Sequence, residues 1–470
     1  LKKSDLLLSL IRTKQALSFK QQLLLTVLLS VPAIISQFSS IMMEYIDASM
    51  VGSLGAHASA SIGLVITSTW LFWGISSTVT NGFSVQVAHL LGAGDGKGAR
   101  AVLYQAIVAT LLFSLVLVAI GVAVSHKLPF WLGGDKSIAA DASKYFLVFI
   151  ISLPALQLNF LASSMLRSSG NMIVPSVLNV LMCLLDIVLN YLLIFPSRKI
   201  NLLGFNIFVP GANLGVVGAA VGTSLSYFII AAILLWYLLT KDKNLKFEHE
   251  SYSFWPKASI IKKALHISVP MTLEHIIIMG AQICSTVIVA PLGIAAIAAN
   301  SFAVTAESLC YLPGYGISEA ATTLVGHSFG AQRKDLARRF AFITVFMGMA
   351  VMSFMSVIMY ISAPLIFGFM TPDPEVLSLG VMALRIEAFA EPMFAASIVA
   401  YGVFVGAGDT LVPSIMNFSS IWVVRLTLAA ILAPIMGLKG VWIAMCIELC
   451  FRGTIFLIRL FNGKWLNKIV

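Results

Sequence analysis

Residues 101–125 read AVLYQAIVATLLFSLVLVAIGVAVS, without one charged side chain. A helix needs about 20 mostly apolar residues to cross a bilayer, and this stretch exceeds that. Eleven further stretches of the same kind lie roughly at 22–46, 59–86, 141–164, 174–196, 214–240, 261–289, 296–324, 340–366, 378–403, 412–435 and 438–461. Twelve such spans with short links fill 470 residues and leave no room for a large soluble domain. Composition agrees. Hydrophobic residues make up 59% of the chain and charged ones only 11%, against roughly 25% charged in soluble proteins. A mean hydropathy of +0.96 suits a bilayer as solvent. The fold class expected is an all-α membrane protein of twelve transmembrane helices.

The net charge of +10 does not point to nucleic acid, because the basic residues are spread over connectors with no basic patch interleaved with aromatics. They sort instead by side. With both termini and the even-numbered connectors on one face, that face takes 21 Lys and Arg residues. The other face takes five: Lys127, Lys136, Arg198, Lys199 and Lys439. The positive-inside rule then puts both termini in the cytoplasm. The opening LKKSDLLLSLIRTKQ reads as an amphipathic, interfacial lead-in. Cys183, Cys284, Cys310, Cys446 and Cys450 all lie in apolar stretches and form no disulfide framework.

The chain repeats itself at an offset of 238 residues. Ser30-Val31-Pro32 matches Ser268-Val269-Pro270, His89 and Gly92-Ala93 match His327 and Gly330-Ala331, and Val174-Pro175-Ser176 with Asn179 match Val412-Pro413-Ser414 with Asn417. Pro154 falls on Pro392 and Gly170 on Gly408. Matches on Pro, Gly, His and Asn are not what apolar composition would produce. Six helices per half is an even number, so the halves enter the membrane in the same sense and the repeat is parallel. The expected layout is an N-terminal lobe at 1–240, a cytoplasmic linker at 241–260 and a C-terminal lobe at 261–470. Two lobes able to rock about a central cavity suit alternating access.

A charge at mid-bilayer costs roughly 2.5–3.5 kcal/mol on insertion scales, so each such residue is a functional candidate. Asp47 lies near the outer end of span 1. There it serves either as an interfacial acid facing water or as a proton or cation acceptor among apolar walls. Glu44, three residues earlier, reads as an interfacial carboxylate. Asp186 and Asn190 stand at i and i+4, on one face of span 5. At the repeat offset Asp47, Asp186 and Asn190 meet Ser285, Val424 and Leu428, so this acid set belongs to the first half alone. The second half carries Glu274, Glu307, Glu319, Arg385, Glu387, Glu391, Arg425 and Glu448. Of these, Glu274, Glu307, Arg385 and Glu391 are candidates for substrate contact or a second ion site. Buried ion pairs joining Arg385 and Arg425 to Glu387, Glu391 or Glu448 are the structural alternative. His89 and His327 fall at matched ends of spans 2 and 8, in packing or capping roles or as pH sensors. Pro32, Pro154, Pro175, Pro270, Pro392 and Pro413 lie in or beside spans and supply bending points.

The motifs VPAIISQFSSIMMEYIDASMVGSLG, the pairs LLGAG with SFGAQ and RSSGNMIVP with GAGDTLVP, and LGVVGAAVGT resemble those of the multidrug and toxic compound extrusion (MATE) family. The likeness covers nearly the whole chain and is nearer the prokaryotic DinF-type branch. It implies a monomeric, multi-pass protein of the inner (plasma) membrane that exports cationic or amphipathic organic compounds against inward flow of H⁺ or Na⁺, with no other cofactor. Asp186 and Asn190 match the family's N-lobe polar pair in reverse order, and Thr223 in GAAVGT matches a threonine near that site. Asp47, Asp186, Asn190 and Thr223 would together offer hard oxygen ligands to a proton or Na⁺. Glu274 stands nearer its proline than the helix-7 glutamate of the NorM-type branch. A flippase-like transporter of a lipid-linked precursor is the alternative, and a sensor or assembly protein a further one. No H-E-x-x-H pair, G-x-S-x-G elbow or Walker loop occurs, so an enzyme or an ATP-driven pump is not expected.

Overall fold

The computed structural model describes residues 2–202, 205–248 and 255–467. Among them, eleven helices are long and apolar enough to cross a membrane: Phe19–Gly52, Ala56–Gly92, Gly96–Ser125, Lys136–Ser168, Ile173–Ile194, Gly215–Thr240, Ala258–Val289, Ile294–Gly330, Lys334–Met370, Leu411–Met436 and Leu438–Asn462. The remaining span, the tenth, is a broken pair, Pro374–Glu387 and Glu391–Gly406, bent by 59°. The chain is thus all-α with twelve spans, as expected, but span 10 is not the continuous helix that its hydropathy suggested. Its bend falls at residues 388–390, between two acids and just before Pro392.

The chain divides into two compact units. One holds residues 38–87 and 96–264, the other residues 1–37, 88–95 and 265–470. In the second unit, spans 8 and 10 approach through small residues. Gly402 and Gly406 stand one turn apart, and a methyl group on either would run into the backbone of Ser318 or Thr322. Those two residues, also one turn apart, donate their hydroxyls back across the contact, Ser318 to the Ile398 carbonyl at 3.0 Å and Thr322 to the Gly402 carbonyl at 2.8 Å. Small residues at four-residue spacing let helix backbones meet where lipid supplies no hydrophobic drive between helices. The Ala-rich core of this unit, including Ala321, Ala337, Ala341, Ala396 and Ala400, follows the same logic.

The repeat-matched ends of spans 2 and 8 lie against each other in this unit. A side chain on Gly92 would strike the His327 backbone, and one on Gly330 would strike the His89 backbone. Each half therefore presents the same Gly to the other half's His, which explains why His89, Gly92, His327 and Gly330 recur at one offset. His89 Nε2 donates to the Gly406 carbonyl at 2.7 Å, and its ring stacks on Phe329. His327 is wholly enclosed.

Other details depart from the sequence reading. Pro32, Pro154 and Pro270 are inside helices as expected. Pro175, Pro392 and Pro413 sit in first turns, where the missing N–H has no partner to lose; Pro175 and Pro413 mark helix starts, and Pro392 opens the second half of span 10 at its bend. Span 11 carries a π-helical stretch at Ser419–Arg425. The connector after span 5 holds a two-stranded antiparallel hairpin, β1 (Pro196–Leu202) and β2 (Phe205–Ala212), with Ile200 opposite Ile207. The lead-in forms a helix at Lys2–Arg12 whose Leu7, Leu8 and Ile11 are buried within the protein. Part of the linker placed at 241–260 lies outside the described residues.

Gly92→Ala and Gly330→Ala each force a backbone displacement at the paired contact. Each should destabilise the protein by about 1–3 kcal/mol. Thermal unfolding in detergent, followed by intrinsic fluorescence, checks this, with Gly94→Ala, which meets no neighbouring atom within 4 Å but bends to positive φ, as the strain-only comparison.

Candidate functional site

In the unit of residues 38–87 and 96–264, the helical spacing of span 5 brings Asp186 and Asn190 onto one buried face, both fully enclosed. Span 6 makes room for them with Gly222, since a side chain there would collide with Asn190. Asn190 Nδ2 donates to Asp186 Oδ2 at 3.0 Å and to Asp47 Oδ1 at 2.8 Å. Asp47 and Asp186 also lie within hydrogen-bonding reach of each other, and the Thr223 hydroxyl lies beside Asp186. The four residues named from sequence thus meet at one place. About two turns along both helices, seven residues before Asp186 and Asp47, Asn179 Nδ2 donates to Ser40 Oγ at 2.9 Å, a second polar link between spans 1 and 5. An apolar group that includes Val51, Ala58, Ile194, Val216 and Ala219, with Tyr145 packed on it, lies toward the C-terminal ends of spans 1 and 5. Glu44 is exposed and takes no hydrogen bond from the set.

Two oxygens of this site, Asp186 Oδ1 and Asn190 Oδ1, are buried with no hydrogen-bond partner among the described residues. Leaving such atoms bare costs free energy. A small cation bound there would take up both, and a proton shared between the two aspartates would relieve their mutual repulsion. Carboxylate, amide and hydroxyl oxygens form a hard donor set, which fits Na⁺ as well as H⁺.

The charges of the second half do not gather into one site. Glu448, wholly buried, accepts from Arg425 Nε and Nη2 at 2.9 and 2.6 Å, from Arg452 Nε and Nη2 at 2.7 and 2.9 Å, and from Ser420 Oγ at 2.6 Å. Arg425 therefore pairs with Glu448, one of the partners the sequence left open. Arg452 was missed, although an arginine at i+4 from an intramembrane glutamate is itself a signal. Glu274 forms a separate group. Tyr401 Oη and Ser414 Oγ donate to its Oε2 at 2.6 Å each, and Asn417 Nδ2 donates to Oε1 at 2.5 Å. Two of those donors belong to the repeat motif around Pro413. Arg385 joins neither group. It is half-buried, with its guanidinium 5.1 Å from the Tyr360 ring centre. Glu307 and Glu391 do come together, in company with Glu387, at the break in span 10. Asp409 pairs with Arg459, where the first half has Asn171.

Comparison with known proteins gives the same picture. The model of the MatE family matches twice, over residues 32–192 and 270–431. The two matches begin on Pro32 and Pro270, 238 residues apart. A probable multidrug resistance protein NorM of Thermotoga maritima is 25% identical over 448 residues, covering 94% of this chain and 93% of its own length. Its counterpart in Bacillus anthracis is 26% identical, covering 96% and 97%. Among solved structures, a MOP superfamily transporter from Pyrococcus furiosus superposes with a TM-score of 0.86 at 20% identity, over 98% of this chain and 99% of that one. An outward-facing multidrug resistance MATE family transporter gives 0.85 at 21% identity, over 93% and 96%. At such identities the structures speak for the fold alone. The doubled family match, set on the same offset as the internal repeat and spanning most of both halves, decides the matter: the chain belongs to the MatE family and is a multi-pass membrane transporter rather than an enzyme.

Proposed function

We propose that this chain exports cationic or amphipathic organic molecules in exchange for an inward-moving H⁺ or Na⁺, and that Asp47, Asp186, Asn190 and Thr223 form the coupling-ion site. The observation that carries this reading is the single Asn190 amide shared by two carboxylates, with Asp186 Oδ1 and Asn190 Oδ1 left bare beside it. A purely structural network would satisfy those atoms. Relatives named for multidrug resistance across nearly the full length support export of organic compounds over transport of a lipid-linked precursor.

The chemistry of the site suggests how ion and cargo are linked. With both aspartates charged, the Asn190 amide holds spans 1 and 5 together through two charge-assisted hydrogen bonds. Binding a proton or Na⁺ removes the repulsion between them and frees that amide for new partners, so span 1 is held differently in the loaded and empty states. Pro32 takes one hydrogen bond out of span 1 and gives the helix a place to bend. An ion that favours one bend and a cargo that favours the other would exchange, because each shifts the equilibrium by its differential affinity. Export would run with both termini in the cytoplasm, the lobes at 1–240 and 261–470 joined by the linker at 241–260, and a monomer as the working unit.

Asp47→Asn should reduce gradient-driven efflux of a cationic dye from proteoliposomes to the protein-free background while leaving the unfolding temperature within a few degrees of wild type. Full transport by that variant removes the reading. Gly222→Ala, which pushes first on Asn190, should weaken the apparent affinity for the coupling ion about tenfold, or about 1.4 kcal/mol. Efflux measured first under a pH gradient and then under a Na⁺ gradient identifies the ion.

A further inference from the structure

Glu387 is the last residue of one half of span 10, and Glu391 is the first residue of the other half. Each is completely enclosed, and none of their four carboxylate oxygens has a hydrogen-bond partner among the described residues. Glu307 of span 8, 6% exposed, joins them. One oxygen from each of the three lies within 4.8 Å of the others. The Cys310 thiol also lies beside Glu391. The two guanidiniums within electrostatic reach, Arg425 and Arg452, are both hydrogen-bonded to Glu448 instead.

Charge arithmetic shows what this arrangement lacks. Glu307, Glu387, Glu391 and Glu448, when ionised, carry four negative charges, and Arg425 and Arg452 supply two positive ones. Two negative charges are left over in a place closed to water, where an uncompensated charge costs several kcal/mol. The bare oxygens belong to Glu387 and Glu391, with a Glu307 oxygen close beside them. Oxygens within 4.8 Å of one another can be bridged in pairs by one ion with bonds of about 2.3–2.6 Å, and a small inward shift brings in the third. Glu387 also ends a half-helix, and a helix C-terminus carries partial negative charge that favours a cation. A broken intramembrane helix at an ion site obeys a general rule, since irregular backbone is tolerated at that depth only when enclosed in protein or lining a polar cavity.

We propose that Glu307, Glu387 and Glu391 form a binding site for one divalent hard cation of the Ca²⁺ or Mn²⁺ kind. The site is distinct from the coupling-ion site and owes nothing to Asp47 or Asp186. A divalent ion cancels the leftover charge in one step, whereas a single Na⁺ leaves half of it. Because its ligands come from both sides of the break, a bound ion ties the two halves of span 10 to each other and to span 8. Occupancy thereby stiffens the bend in that span.

The test uses the full chain purified in detergent, stripped of metal with a chelator that is then removed. Titration with Mn²⁺ is followed by loss of the free-ion EPR signal, and thermal unfolding is recorded with and without Mn²⁺ or Ca²⁺. The expected result is saturable uptake of one Mn²⁺ per chain, displaced by Ca²⁺, with a rise in unfolding temperature. Glu387→Gln combined with Glu391→Gln should weaken uptake at least tenfold and abolish the thermal shift. If that pair does not fold, Glu307→Gln alone should weaken uptake by about the same factor. Absence of saturable Mn²⁺ or Ca²⁺ binding to folded wild-type protein overturns the proposal. So does unchanged binding in a folded variant, and so does displacement of Mn²⁺ by Na⁺ where choline at equal ionic strength has no effect.

Discussion

Taking a carboxylate out of water costs several kcal/mol unless its charge and its lone pairs find partners, and inside a helical bundle those partners must come from neighbouring helices. That requirement organises the polar interior of this protein. Glu448 meets it with two guanidiniums and a hydroxyl, five hydrogen bonds in all. Glu274 meets it with three neutral donors from Tyr401, Ser414 and Asn417. Asp47 and Asp186 share one amide, with Asp186 Oδ1 and Asn190 Oδ1 left bare. The four carboxylate oxygens of Glu387 and Glu391 take no hydrogen bond among the described residues, although the Cys310 thiol stands beside Glu391. Fully satisfied groups act as structure, because removing any partner strands a buried charge. The unsatisfied ones are where an ion gains most by binding.

The duplicated halves show which features belong to the scaffold and which to chemistry. Positions that allow close backbone approach recur at one offset: Gly92 with Gly330, and the histidines that each of them meets. Polar positions recur in identity but not in use. Asn179 donates to Ser40 in one half, while its counterpart Asn417 donates to Glu274 in the other. Asn171 is replaced by Asp409, which takes Arg459 as its partner. A duplicated bundle can keep its helix crossings and still build two chemically different interiors, since crossings depend on small residues and ion sites on a few side chains.

Twelve spans, the parallel repeat and the first-half polar set were legible from residue order. Apolar length and helical periodicity are local properties, and they placed Asp186 and Asn190 on one face before any contact was known. The break in span 10 was not legible by those means. Its apolar content is unbroken across residues 388–390, and Pro392 reads equally well as a kink or as a helix start. The hairpin at 196–212 was missed because a polar connector between spans gives no membrane-length signal, although Phe205, Ile207, Phe208 and Val209 form a run of β-branched and aromatic residues.

Pairing between distant residues is what the order of residues could not supply. Residue order was enough to show that the chain spans a bilayer twelve times, that its halves are copies, and that a handful of acids lie where acids are costly. Hydropathy and periodicity depend only on neighbours along the chain. It took the packed bundle to show that Arg425 and Arg452 serve Glu448 rather than Glu387 or Glu391, that Arg385 turns to Tyr360, and that Glu307 joins the two acids at the break. Those outcomes turn on which helix faces meet, and helix packing is set by the shapes of many small side chains at once.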